Sequence, residues 1–115
     1  MYVNGQVAYT GTRSDNITST NTLYIGESDT ALSGYFSGYI ADFRVLKGRA
    51  LYTTNSFTVP TTTLTPIANS TFLLQTLNAN TAFTDTSLNP FAGTLTNNNT
   101  VTFNANSPFG TTVGS

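Results

Sequence analysis

Gly38-Tyr39-Ile40-Ala41-Asp42-Phe43-Arg44-Val45-Leu46 is the longest strand candidate in the chain, and its period decides the fold class. Ile40, Asp42, Arg44 and Leu46 fall on one face, and Tyr39, Ala41, Phe43 and Val45 on the other. This is the two-residue repeat of a strand, not the 3.6-residue repeat of a helix. The second face carries no charge and is expected to meet the core. Gly34 and Gly38 bracket Tyr35 and Phe36, which predicts a bend or a close backbone approach just before the strand.

Toward the N-terminus, Tyr2 and Val3 lead into Asn4-Gly5, a pair that accepts positive φ at both central positions of a tight turn. A hairpin is expected there, with residues 6–9 as the return strand. Residues 11–22 are polar and aperiodic and read as a loop, Leu23-Tyr24-Ile25 as a short strand, and residues 27–34 as a second loop. Toward the C-terminus, residues 49–57 are compatible with one helical turn or a short strand. Residues 58–66 carry Pro60 and Pro66, which lack the donor a central strand needs, so they read as an edge or connector. Residues 72–77 form a further strand that is partly apolar on both faces, pointing to burial on both sides or to contact with another chain. Residues 82–84, 91–96 and 100–103 read as three more short strands, and residues 104–115 as an exit tail. No segment repeats apolar residues at helical spacing over three turns, so the expected fold is an all-β antiparallel sandwich or jelly roll in one domain.

Composition agrees with that class and excludes several functions. The chain has 115 residues, 38% of them hydrophobic and 12% Tyr or Phe, enough to seed one core. Only 8% are charged, and the formal net charge is -1. Arg13, Arg44, Lys47 and Arg49 are too few and too scattered to track a phosphate backbone, so nucleic acid is not an expected partner. No apolar run approaches the roughly 20 residues of a membrane span, and residues 1–8 lack the basic and apolar regions of a signal peptide. Membrane insertion is therefore not expected, and work outside a cell would require delivery by lysis or by another chain. Cysteine and histidine are both absent, so neither a disulfide framework nor a Ser-His or Cys-His nucleophile can be assembled. The acids are Asp15, Glu27, Asp29, Asp42 and Asp85. Only Glu27 and Asp29 have the alternating spacing that brings two carboxylates together for glycoside hydrolysis, and they sit in a predicted loop. No enzyme is expected. Asp42 beside Arg44 reads as a solvated or cross-strand charge.

Three motifs, in order, resemble the laminin-G-like, concanavalin A-like lectin/glucanase superfamily: Tyr2-Val3-Asn4-Gly5, Leu23-Tyr24-Ile25-Gly26, and the run from Gly34 through Tyr35, Phe36 and Gly38 to Val45. Val45-Leu46-Lys47-Gly48-Arg49-Ala50-Leu51-Tyr52-Thr53, followed by Phe57, Pro60 and Leu64-Thr65, looks like modules repeated in the virion proteins of tailed phages. The resemblance implies that residues 1–57 hold the second-half strands of such a sandwich and residues 58–70 a Thr/Pro-rich connector. Residues 71–104 would add strands that pack on or extend it, with 105–115 as exit tail. Phe72-Leu73-Leu74-Gln75, Phe83-Thr84-Asp85 and Ser107-Pro108-Phe109-Gly110 are similar to the segments that open the next module. The order is that of a second half followed by a fresh beginning. It fits either a shortened or permuted sandwich, or one completed by neighbouring chains.

The implied function is a non-enzymatic structural module at a virion surface, in a capsid decoration, fibre or tail appendage. Its implied partners are other virion proteins or copies of itself in a homo-oligomer. Phe72, Leu73, Leu74, Gln75 and Leu77 are the candidate assembly strand, since edges poor in charge invite pairing. The alternative is a glycan-binding module, secreted or on a cell surface, with Tyr9, Tyr35, Tyr39 and Tyr52 as ring platforms. Calcium is the one cofactor the resemblance admits, through Asp15, Asn16, Glu27 and Asp29, residues that are also ordinary turn formers.

Overall fold

The computed structural model describes residues 1–14, 22–27, 34–75, 77–80, 82–88, 95–97 and 101–109. Among these the chain is all-β, with four strands and no helix. Strands β1 (Tyr2–Val3) and β2 (Gln6–Val7) form one antiparallel pair, and β3 (Phe43–Leu46) and β4 (Ser70–Leu74) form another.

The first pair is the hairpin expected from Asn4-Gly5. Tyr2 faces Val7 and Val3 faces Gln6, and the two turn residues have φ of 50° and 77°. Positive φ at both positions gives a turn whose twist matches the flanking strands. The hairpin then docks on residues 55–57: Val7 N donates to the Asn55 carbonyl at 3.0 Å and Phe57 N to the Gly5 carbonyl at 2.8 Å. Rings close the same junction. Tyr52 and Phe57 stack at 3.6 Å with their planes 9° apart, Tyr2 meets Phe57 edge-on at 5.3 Å, and the Tyr2 hydroxyl donates to the Thr54 carbonyl at 2.6 Å. Residues 49–57 are thus neither a helical turn nor a named strand. They form an irregular ledge bridged to the hairpin at Gln6 and Ser56.

The second pair joins the two stretches with the strongest strand signal. Phe43 pairs with Leu74, Arg44 with Leu73 and Val45 with Phe72, after which the register slips so that Leu46 pairs with Ser70. Thr71 is the extra residue of a bulge, which breaks the two-residue alternation. The two fully buried side chains of β4, Ser70 and Leu73, lie three apart. Phe43 and Phe72, diagonal across the ladder, meet edge-on with centroids 6.1 Å apart.

β3 is shorter than the alternation of residues 38–46 suggested. Asp42 has φ of 55°, in the left-handed region, and a residue there cannot continue a ladder. The strand therefore starts at Phe43, and Tyr39, which the alternation put on the core-facing side, remains exposed, as does Ile40. The short strands expected at residues 23–25 and 82–84 are irregular, as are residues 95–97 and 101–103. Residues 76, 91–94 and 100 of the remaining expected strands lie outside the described residues.

Gly5 and Gly48, two of the three glycines with positive φ, provide a controlled test of the hairpin dock. A Cβ at Gly5 would run into the Phe57 carbonyl oxygen and stand 3.0 Å from Val59 Cγ2, whereas nothing lies within 4 Å of one at Gly48. Gly5→Ala is expected to lower stability by about 2–4 kcal/mol, from backbone strain plus displacement of the ledge. Gly48→Ala is expected to cost about 1 kcal/mol from strain alone. Urea midpoints measure both, and equal losses would contradict the docking geometry.

Candidate functional site

β4 lies at the centre of the described structure because both of its edges are taken. In an antiparallel ladder, alternate residues turn their N–H and C=O to opposite sides. Phe72 and Leu74 face β3, so Leu73 offers its backbone to the other edge. There its N–H donates to Asp85 Oδ1 at 3.0 Å, and its carbonyl accepts Thr86 N at 2.9 Å. The same Asp85 oxygen accepts Ser87 N at 2.9 Å, which fixes the turn that presents it.

Side chains do for the connector what a ladder would do for a strand. Asp42 Oδ2 accepts Leu64 N at 2.8 Å, and the Leu64 carbonyl accepts Gln75 Nε2. Thr86 Oγ1 donates to Gln75 Oε1 at 2.6 Å. Arg44 Nη1 reaches the Thr65 carbonyl at 3.1 Å. The proline-bearing segment 58–66 is thereby strapped across the β3–β4 pair, with neither Pro60 nor Pro66 asked for a donor. Asp42 is therefore not a solvated charge. It is half-buried, with Oδ1 shielded from solvent and without a hydrogen-bond partner.

The residues singled out in the sequence separate into three settings. Phe72, Leu73, Leu74 and Gln75 pair or bond within their own chain, so the candidate assembly strand has no open edge along Phe72–Leu74, and Leu77 just beyond it is exposed. Tyr52 sits half-buried in the ring cluster under the hairpin. Tyr9, Tyr35 and Tyr39 stand out into solvent, 66%, 63% and 83% exposed. Of the candidate calcium ligands, Asp15, Asn16 and Asp29 lie outside the described residues, and Glu27 is half-buried and bridged to Tyr35. Among the described residues no group of three or more acidic side chains converges.

Sequence reasoning missed the uncovered face to which Tyr35 and Tyr39 belong. Phe36 N donates to the Gly26 carbonyl at 2.8 Å, bringing residues 23–27 alongside residues 35–40. Ile40 and Phe36 both approach Gly26. Residues of both segments are among those lining an open cleft of about 1910 Å³, with Phe103 and Phe109 also lining it. The one signal that could have found it was the density of Tyr, Phe and Ile between Gly34 and Asp42, of which the strand reading had assigned Tyr39 to the core.

No protein-family model, curated protein or solved structure matches the chain.

Removing the strap has a definite expected cost. Asp42→Ala leaves the Leu64 N–H without its acceptor and puts alanine at positive φ, which should lower stability by about 2–4 kcal/mol. Asp42→Asn retains an acceptor and tolerates the left-handed backbone, so its loss should stay below about 1 kcal/mol. Denaturant midpoints of the two variants check this, and equal losses would remove the strap.

Proposed function

We propose that this chain is a non-enzymatic structural module of a phage virion, part of a capsid decoration, fibre or tail appendage, built on a concanavalin A-like β-sandwich and acting through contacts with other virion proteins or with copies of itself. The observation that carries the reading is the contrast between two surfaces. Strand β4 is tied on both edges, by β3 and by the Asp85–Thr86 turn, while the aromatic residues Tyr35, Phe36, Tyr39 and Ile40 are exposed. A soluble monomer rarely leaves so concentrated an apolar surface to water, and such surfaces mark interaction sites. The sparse charge adds support, since it leaves little electrostatic repulsion between copies. Asp42 and Asp85, two of the five acids, each accept backbone N–H groups. The proposed location is the particle surface, with neither nucleic acid nor membrane as partner. No cofactor is required, and calcium at Asp15, Asn16, Glu27 and Asp29 is compatible with the reading.

Mass spectrometry of gradient-purified particles from the source tests it. Peptides of this chain should co-sediment with the particles in a fixed ratio to the major structural protein. Their confinement to the soluble fraction would overturn the reading.

The exposure of Tyr9, Tyr35 and Tyr39 favours one alternative, a glycan-binding module for adhesion to a host surface, since rings presented edge and face to water are what sugars stack on. On this alternative a glycan array shows binding that Tyr39→Ala reduces at least tenfold. Silence on the array, with and without calcium, removes it.

A further inference from the structure

Asn4-Gly5 builds the first turn, and it is the one Asn-Gly pair in an asparagine-rich chain. An asparagine side chain is an electrophile as well as a turn former. Hydroxide from solvent removes the Gly5 amide proton, and the nitrogen attacks Asn4 Cγ to close a five-membered succinimide. The Cγ–Nδ2 bond breaks, and the departing nitrogen takes a proton from water and leaves as ammonia. Glycine has no Cβ to shield the attacking nitrogen, whereas every other asparagine here precedes a residue with a side chain. Asn89 precedes Pro90, which has no amide proton to lose. Asn4 is also exposed, so water and hydroxide reach it.

The closed hairpin forbids the ring. Asn4 has φ of 50°, in the left-handed region where ψ is about +30° to +60°. At that ψ the Gly5 nitrogen stands nearly opposite Asn4 Cβ about the Cα–C bond, whereas the succinimide needs the two eclipsed. Asn4 must therefore rotate its ψ by well over a right angle. Gly5 cannot follow while the hairpin is docked. Its carbonyl accepts Phe57 N at 2.8 Å, and it lies so close to the Phe57 carbonyl that a Cβ has no room. The neighbouring Gln6 is bridged to Ser56. The reaction waits until the hairpin lifts from the ledge.

Water then opens the ring at either carbonyl. Attack at Cγ leaves an aspartate, whose backbone is unchanged and which accepts positive φ, so the turn recloses. Attack at the main-chain carbonyl leaves an isoaspartate, whose backbone runs through Cβ and Cγ and is one atom longer. A two-residue turn cannot absorb that atom and keep Tyr2 opposite Val7 and Val3 opposite Gln6. We infer that Asn4 is a site of self-modification, gated by the docking of the hairpin, and that conversion to isoaspartate makes the opening of the hairpin permanent. The inference stands apart from the assembly reading.

Peptide mapping that separates asparagine, aspartate and isoaspartate tests it, on the full chain held at mildly alkaline pH in buffer and in concentrated urea. In urea, Asn4 should convert before any other asparagine, and in buffer at least tenfold more slowly than in urea. Tyr2→Ala removes the ring contacts with Tyr52 and Phe57 and the hydroxyl bond to Thr54. It should raise the rate in buffer at least threefold and leave the rate in urea unchanged. In the isoaspartate fraction the amides of Val7 and Phe57 should exchange faster than in the unmodified chain, whereas in Asn4→Asp they should stay protected. Equal wild-type rates in buffer and urea would overturn the inference, a comparison that needs no variant. So would earlier conversion of another asparagine in urea, a Tyr2→Ala rate in buffer no faster than wild type, or an isoaspartate fraction in which Val7 and Phe57 remain protected.

Discussion

Leu73 is the residue through which β3, β4 and the Asp85–Thr86 turn are joined. Its side chain is fully buried, it faces Arg44 across the β3–β4 ladder, and its N–H and C=O hold the Asp85–Thr86 turn on the opposite edge. Burying the side chain removes it from water, and satisfying both backbone groups prevents that burial from stranding polar atoms. Each contact supports the other. Without the Asp85 and Thr86 bonds, the outer edge of β4 would be open. Without the paired β3, the other edge of β4 would be open as well.

From this centre the structure spreads by polar stitching more than by apolar packing. Leu73 and Ala82 are the buried hydrophobic residues among those described, and Ser70, Gln75 and Ser87 are buried with them. The Leu64 backbone is gripped from two sides, by Asp42 at the start of β3 and by Gln75 just past β4. A chain rich in Thr, Asn and Ser can hold irregular segments in this way, one side chain per backbone group, because these residues bond to main chain as readily as to water. The functional consequence is positional. The aromatic residues that a conventional core would absorb are left at the surface, next to a strand that is firmly held.

Several features were legible in the sequence. Asn4-Gly5 specified the first hairpin because few dipeptides accept two positive φ values in succession. The alternation of residues 43–46 and the apolar run 72–74 located the second strand pair, though not that they pair with each other across 23 intervening residues that carry no named strand. What was not legible depended on tertiary contacts. The left-handed turn at Asp42, which cuts the strand short and turns residues 39–41 out of the ladder, is stabilised by a backbone N–H 22 residues away. Tyr52 looked like Tyr9, Tyr35 and Tyr39 as a type, and only the return of the hairpin onto residues 55–57 places it in a ring cluster. The all-β class read from the strand periods is that of the described residues, which hold two small two-stranded sheets.

Native-state hydrogen exchange resolved by residue tests the central claim most directly, because it ranks local opening free energies along the chain. If β4 is the centre and the side-chain straps hold the connector to it, the amides of Leu73, Thr86 and Leu64 should be among the slowest to exchange, slower by orders of magnitude than those of Tyr39 and Ile40 in dilute protein. Exchange at Leu64 and Thr86 as fast as at Tyr39 would contradict the account, since the bonds assigned to Asp42 and Leu73 would then not hold those segments in solution.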